Sequence, residues 1–105
     1  MNNDVVIYQS SDGLVKMEAI VDASNETIWA TQKAMADLLG VNTQAITKHL
    51  GNIYHDAELI KEATCSKMEQ VRLEGGRRVT RQVEFYNLDA IISVGYRINS
   101  RQATA

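Results

Sequence analysis

Gln44 is followed three positions later by Thr47 and four positions later by Lys48, in a segment that has helical periodicity. This spacing puts their side chains on one face of a helix. In the major groove of DNA, glutamine can pair with adenine and lysine with guanine, so such a face can read base edges. Thr43, at the start of the segment, would lie where the amides of a first helical turn attract a phosphate. Together the four residues predict a helix that binds DNA.

Arginines cluster around the glycine pair Gly75-Gly76 further along the chain, at positions 72, 77, 78 and 81. The segment predicts a β-hairpin, and a hairpin that follows two helices is typical of the wing of a DNA-binding protein. Arginine suits both the phosphate backbone and the minor groove. We therefore predict DNA contacts from Arg77, Arg78 and Arg81. The alternative is that these charges keep an exposed hairpin from aggregating.

The distribution of charge supports a local basic surface although the whole chain has a net charge of −2. Residues 67–101 hold seven basic and four acidic side chains, whereas residues 1–40 hold two basic and six acidic ones. A local concentration of positive charge is what attracts phosphates. The acidic total favours a different partner, namely an acidic-surface protein that docks on the arginines.

Enzyme chemistry is poorly represented in this sequence. His49 and His55 are six residues apart and point to different sides of one helix, and Cys65 is the single cysteine, so a metal site is not expected. Gly75-Gly76 is too short to cradle a phosphate. We expect no catalytic residues, no cofactor and no metal. The N-terminus lacks the pattern of a signal peptide, and no apolar run is long enough to span a membrane, which predicts a cytoplasmic protein.

Two consecutive helices must position the polar face. Thr31 can cap a helix from Gln32 to Leu39, and Gly40 can end it in the left-handed conformation. Thr43 can cap a second helix from Gln44 to about Tyr54. Their apolar residues sit at helical spacing and predict the buried faces. These residues are Met35, Leu38 and Leu39 in the first helix and Ile46, Leu50 and Ile53 in the second.

The connection between these helices has the pattern of a helix-turn-helix unit. Small Ala36 precedes Gly40 by four residues, and Val41 and Ile46 can fill the angle between two helices that cross steeply. His49 stands where an apolar residue is usual, although its ring can still pack. The alternative is an ordinary helical hairpin in which these positions serve only the core.

The remaining segments predict a mixed fold. Residues 5–8 and 15–22 form a candidate hairpin around a turn at 10–13, and Asp56 can cap a short helix that carries Leu59, Ile60 and Ala63. In the arginine hairpin we prefer a three-residue loop, residues 75–77, because it pairs Leu73 with Val79 and brings apolar side chains together.

A last helix is predicted from Leu88 to about Ile98, with Asn87 as its cap. Its apolar face would comprise Leu88, Ile91, Ile92 and Ile98, and Gly95 would allow close packing. Residues 100–105 are polar and small, so a loose tail is expected there.

Four blocks of this sequence resemble the bacterial virulence RhuM family. They are residues 27–32, 35–39, 46–53 and, most specifically, 85–97, within a resemblance that runs from Val6 to about Arg101. The resemblance implies a DNA-binding protein that is often encoded in mobile or pathogenicity-associated regions. Family members usually continue further, so the chain is expected to correspond to an N-terminal region. The resemblance supplies no catalytic residues.

Taken together, these features predict an α+β domain spanning residues 1–105. Its architecture would be a winged helix-turn-helix with an N-terminal β-hairpin, a helical core, a wing hairpin and a C-terminal helix. The predicted partner is double-stranded DNA, which a transcriptional regulator would bind through residues 44–54 and 72–81. A homodimer is expected, because one short recognition helix rarely binds tightly alone. The alternative is a protein-interaction or targeting module of a larger virulence or toxin-type protein.

Overall fold

The computed structural model describes the backbone of residues 3–9 and 16–104, and the side chains of residues 19–69, 71 and 73–100. The fold is mixed α+β, as predicted. Its elements, in chain order, are β1 (Asn3–Gln9), β2 (Lys16–Asp22), β3 (Thr27–Ala30), α1 (Gln32–Leu39), α2 (Thr43–His55), α3 (Lys61–Thr64), β4 (Cys65–Glu74), β5 (Arg77–Asn87) and α4 (Leu88–Thr104).

The strands form one antiparallel sheet in the order β1-β2-β3-β5-β4. Ala19, Ala30 and Tyr86 lie on the same face of this sheet and join the hydrophobic core. The helices supply the rest of that core, mainly Met35, Ile46, Ile53 and Val94. We call the face that carries Ala19, Ala30 and Tyr86 the helix-side face of the sheet. Trp29 and Phe85 alternate with Ala30 and Tyr86, so they lie on the opposite, outer face.

The N-terminal hairpin is confirmed by the pairing of β1 with β2, while its predicted turn at residues 10–13 lies outside the described residues. Strand β3 was not predicted. It follows a turn organised by the buried carboxylate of Asp22, which accepts hydrogen bonds from Ser24 Oγ at 3.0 Å, Asn25 Nδ2 at 2.9 Å and Trp29 Nε1 at 3.1 Å. These hydrogen bonds, with those from Asn25 foremost, lower the pKa of Asp22.

Of the three residues that were predicted to begin or end the two central helices, two are confirmed. Thr31 Oγ1 accepts from the Ala34 amide at 3.1 Å, and Gly40 ends α1 with φ of 70°. The second cap is Asn42, whose Oδ1 accepts from the Ala45 amide at 2.8 Å. The prediction of Thr43 was wrong because Asn42 takes the extended cap conformation, so that Thr43 becomes the first helical residue.

The predicted core of α2 is confirmed, since Ile46, Leu50 and Ile53 are all buried, and the His49 side chain is buried beside them. In α1 the prediction is correct for Met35 but wrong for Leu38, which is 40% exposed. Helix α1 contacts both α2 and β2, so three consecutive residues, 34–36, are buried instead of a single stripe.

Asp56 does not cap a short helix. It lies at the C-terminal end of α2, where its carboxylate accepts from Arg97 of α4 at 3.2 Å, and α3 starts later, at Lys61, without a side-chain cap. Ile60, which was assigned to that helix, precedes it and is 68% exposed. The carboxylate of Asp56 therefore forms an ion pair between the end of α2 and α4, and does not cap a helix.

Helix α4 begins as predicted, because Asn87 Oδ1 accepts from the Ala90 amide at 3.2 Å. Its backbone is helical to Thr104, and the loose tail expected for residues 100–105 stays a prediction. The buried side is only partly the predicted one. Ala90, Ile91, Val94 and Ile98 are buried, whereas Leu88, Ile92 and Tyr96 form an exposed stripe at 37%, 59% and 72%.

Candidate nucleic-acid interface

The arginine-bearing hairpin is closed by a two-residue turn, and the predicted three-residue loop is wrong. Glu74 pairs with Arg77 and Leu73 with Arg78, so that Gly75 and Gly76 alone make the connection. Both glycines have positive φ, 59° and 78°, which is the requirement of a type I′ turn. That turn matches the twist of the strands, and this local preference outweighs the pairing of apolar side chains.

Most of this hairpin projects from the sheet as a two-stranded ribbon. Strand β5 pairs with β3 only at Tyr86 and Asn87, whereas it pairs with β4 along residues 77–86. We call the segment formed by residues 66–74 and 77–85 the ribbon. At about 3.4 Å per residue it extends roughly 30 Å. Its side chains therefore meet solvent on both faces over most of its length.

The two faces of the ribbon differ in chemistry. The outer face carries Met68, Val79 and Val83, which are half-buried, and Phe85, which is 5% exposed. The helix-side face of the ribbon continues from Tyr86. In the half of the ribbon nearest the turn, this face carries only exposed side chains. These are Val71, Leu73, Arg78 and Thr80.

The predicted arginine contacts are divided between these faces. Arg77 and Arg81 lie on the outer face and Arg78 on the helix-side face, all with exposed side chains. Arg81 binds Glu74 across the strands, with Nη2 to Oε1 at 2.9 Å and Nε to Oε2 at 3.2 Å, and this pairing raises the pKa of Arg81. The side chain of the remaining arginine, at position 72, lies outside the described residues.

Helix α2 exposes the polar face that the sequence predicts. Thr43, Gln44, Thr47 and Lys48 are all exposed, together with Gly51. The side opposite them is the buried stripe of α2, so the protein itself does not cover the predicted base-reading residues. Their contact with DNA stays a prediction.

A line of hydrogen bonds joins this helix to the base of the ribbon. Thr47 Oγ1 donates to Gln32 Oε1, Gln32 Nε2 donates to the Tyr86 hydroxyl at 3.1 Å, and that hydroxyl donates to Glu84 Oε2 at 2.8 Å. Burial, followed by the acceptor Glu84, raises the pKa of Tyr86 above its usual range. The tyrosine thus stays a hydrogen-bond donor, and the exposed face of α2 is fixed relative to the helix-side face of β5.

Sequence reasoning missed Gln32 and Tyr86 as parts of this site. Gln32 was only the first residue of a predicted helix, and Tyr86 belonged to a block that resembles a family. These two residues are 54 positions apart along the chain, so no local pattern could have linked them.

A shallow cleft of about 310 Å³ lies at the other end of α2, against α4. The guanidinium of Arg97 in this cleft already pairs with Asp56 at 3.2 Å and Glu58 at 3.5 Å. Two carboxylates so close make the cleft a poor site for an anion. Its lining residues are His49, Asn52, Glu58, Tyr96, Arg97 and Ser100.

Within the residues that the structure describes, no group of three His, Cys, Asp or Glu side chains could hold a metal ion. The same residues include no helix that is long and apolar enough to cross a bilayer. Cys65 is half-buried and its thiol lies 3.8 Å from Glu84 Oε2, while burial raises the pKa of this thiol. A protonated thiol is a weak nucleophile.

The fold and the site together define an α+β protein with two short central helices and a projecting basic ribbon. Residues 63–105 match the family model of the Virulence protein RhuM family, which confirms the resemblance for the part of the chain from the end of α3 through α4. The resemblance of residues 27–53 to the same family stays a prediction. No curated protein and no solved structure matches the chain.

Proposed function

We propose that this protein binds double-stranded DNA as a winged helix-turn-helix protein, with α2 as the recognition helix and the ribbon as the wing. It would act by binding, as a cytoplasmic transcriptional regulator, and not as an enzyme. The observation that carries the proposal is the hydrogen-bonded line from Thr47 through Gln32 and Tyr86 to Glu84. It joins the exposed polar face of α2 to the helix-side face of β5, at the base of the ribbon.

In this proposal α2 lies in the major groove and reads base edges. Gln44 and Lys48 are exposed one turn apart, which suits hydrogen bonds to adenine and guanine. Thr43 is near the N-terminal amides of α2 and would contact a phosphate. The Thr47 hydroxyl already contacts Gln32, so Thr47 would meet a base through its methyl group or by exchanging that partner.

The ribbon would follow the phosphate backbone beside that groove. Arg77 and Arg78 are exposed next to the turn, at the far end of the ribbon. Arg81 belongs to the same surface, but its charge is balanced by Glu74. Arg77 and Arg78 should therefore contribute most of the electrostatic attraction.

Fluorescence anisotropy with a labelled pool of mixed genomic fragments tests the proposal, at low and at moderate salt. Selection from a random pool of duplexes then supplies a cognate site. On that site Lys48→Ala or Gln44→Ala should weaken binding by about 1–3 kcal/mol. Lys61→Ala, which removes an exposed lysine outside α2 and the ribbon, is the matched control and should bind normally. If wild-type protein binds no duplex even at low salt, the proposal is wrong.

The second candidate is a protein-interaction module, and the exposed stripe of Leu88, Ile92 and Tyr96 on α4 favours it. Three apolar side chains at intervals of four form a continuous strip along one side of a helix. A strip of this kind also suits a homodimer. Sedimentation analysis with wild type and Ile92→Glu distinguishes these cases, since a self-associating stripe gives a dimer that the glutamate disrupts.

A further inference from the structure

Two apolar residues near the tip of the ribbon are strongly exposed. Leu73 is 77% exposed and Val71 61% exposed. They are two residues apart on β4, so both lie on the helix-side face, and their partners on β5 are Arg78 and Thr80. Leu73, the most exposed large apolar side chain among the residues that the structure describes, thus lies beside an arginine and next to the turn.

The ribbon itself covers little of these two side chains. Its apolar contacts lie on the outer face, where Phe85 is buried and Met68, Val79 and Val83 are half-buried. The Glu74–Arg81 ion pair lies on that face as well. A strand that only had to keep a wing soluble would carry polar residues at positions 71 and 73.

We propose that the tip of the ribbon enters the minor groove and inserts Leu73 between two base pairs, so that binding bends the DNA. This proposal rests on the proposed function and adds a mode of binding to it. Proteins that unstack a base step in the minor groove use exposed apolar side chains of this kind, and the kinks they produce are about 20–90°.

The neighbours of Leu73 fit that location. Residues directly opposite in an antiparallel pair have Cβ atoms about 5 Å apart, so Arg78 reaches the same stretch of groove as Leu73. Arg78 can therefore hold a phosphate at the edge of the groove that Leu73 enters. Val71 lies further from the turn and would rest on sugar atoms at the groove edge, with Thr80 beside it.

The test uses the full chain and a duplex that carries the selected site, with fluorophores at its two ends. Energy transfer between the ends reports bending, and 2-aminopurine placed at successive positions reports unstacking. Anisotropy on the same duplex measures affinity independently. Leu73→Thr keeps a strand-forming residue but removes the apolar wedge, and Leu73→Ile is the matched control that keeps it. Thermal unfolding verifies that both variants are folded.

Wild type and Leu73→Ile should raise both the energy transfer and the emission of 2-aminopurine at one step. Leu73→Thr should lose both signals while its affinity falls by no more than about tenfold, the equivalent of 1.4 kcal/mol. If wild type binds the duplex without bending it, or if Leu73→Thr bends it as wild type does, the wedge is wrong and the proposed function stands. If wild type binds no DNA, both proposals are wrong.

Discussion

At the scale of single residues, the site depends on groups that make no predicted contact with DNA. Gln32 bridges Thr47 of α2 and Tyr86 of β5 through the two ends of one amide. Such a bridge restricts the side chain of Thr47 before any ligand arrives, which lowers the entropy cost of binding. Tyr86, held by burial and by Glu84, keeps the bridge in one orientation.

Replacing Gln32 should therefore weaken DNA binding without touching a contact residue. We expect Gln32→Ala to reduce affinity for the cognate site by about 0.5–1.5 kcal/mol, the usual range for one hydrogen bond. Anisotropy titrations measure this loss, with Lys33→Ala on the same helix as a control. Thr47→Val in the Gln32→Ala background should then cost little more, since the two residues act as a unit. Fully additive losses would contradict the bridge.

At the scale of elements, what could be predicted was whatever is encoded locally. The cap Thr31, the left-handed Gly40 and the stripe of Ile46, Leu50 and Ile53 depend on neighbours within a few residues, and all were predicted correctly. Strand β3 was missed because it exists only by pairing with β2 and β5. The α1 core was misjudged because several neighbouring elements, and not one alone, cover that helix.

In the arginine-bearing hairpin, a local feature decided the structure and the prediction underestimated it. Its register was decided by the turn chemistry of Gly75 and Gly76, whereas the prediction gave more weight to the pairing of Leu73 with Val79. Consequently the exposure of the polar face of α2 agrees with the prediction, whereas the faces of the ribbon were assigned wrongly. The exposed Leu73, on which the wedge depends, follows from that corrected register.

Two helical glycines allow stability and binding to be separated. A Cβ at Gly51 would meet nothing within 4 Å, and at Gly95 it would meet Leu39 Cδ2 at an ordinary 3.6 Å, so Gly95 is not needed for close packing. Alanine at either position should stabilise the protein by about 0.5–1 kcal/mol. Gly51, however, lies on the exposed face of α2.

Thermal unfolding and anisotropy distinguish the two variants. Both Gly51→Ala and Gly95→Ala should unfold at higher temperature, but only Gly51→Ala should lose affinity, because its methyl group would hold the helix away from the groove. Gly95→Ala serves as the control with the same chemical change. Equal affinity of the two variants would count against α2 as the recognition helix.

The β2–β3 turn predicts a specific dependence of stability on pH. Because the pKa of Asp22 is lowered in the folded protein, its carboxylate stabilises the fold above the unfolded pKa, near 3.8, and this contribution is lost as the pH falls through the folded value. The melting temperature should therefore drop as the pH falls below about 4. Asp22→Asn should melt lower at neutral pH and show a shallower acid dependence. An unchanged acid dependence in this variant would exclude Asp22 as its source.

At the scale of the whole molecule, a net charge of −2 must be reconciled with the proposed binding to a polyanion. Residues 1–40 hold six acidic and only two basic side chains, whereas the exposed Arg77 and Arg78 are at the far end of a ribbon about 30 Å long. At physiological ionic strength charges are screened beyond about 8 Å, so phosphates near the tip would respond to these arginines and not to the total charge.

This separation predicts how salt should act on the variants. Each phosphate contact contributes about 0.9 to the slope of log affinity against log salt, so replacing both Arg77 and Arg78 with alanine should reduce the slope by about 1.8. The loss should be similar for all duplexes, because phosphates carry no base information. Arg81→Ala should change the slope less, since Glu74 already balances that charge. Titrations at several salt concentrations measure all three slopes. A double variant with the wild-type slope would remove the ribbon from the interface, and a larger effect from Arg81→Ala would mean that DNA displaces Glu74 from its arginine.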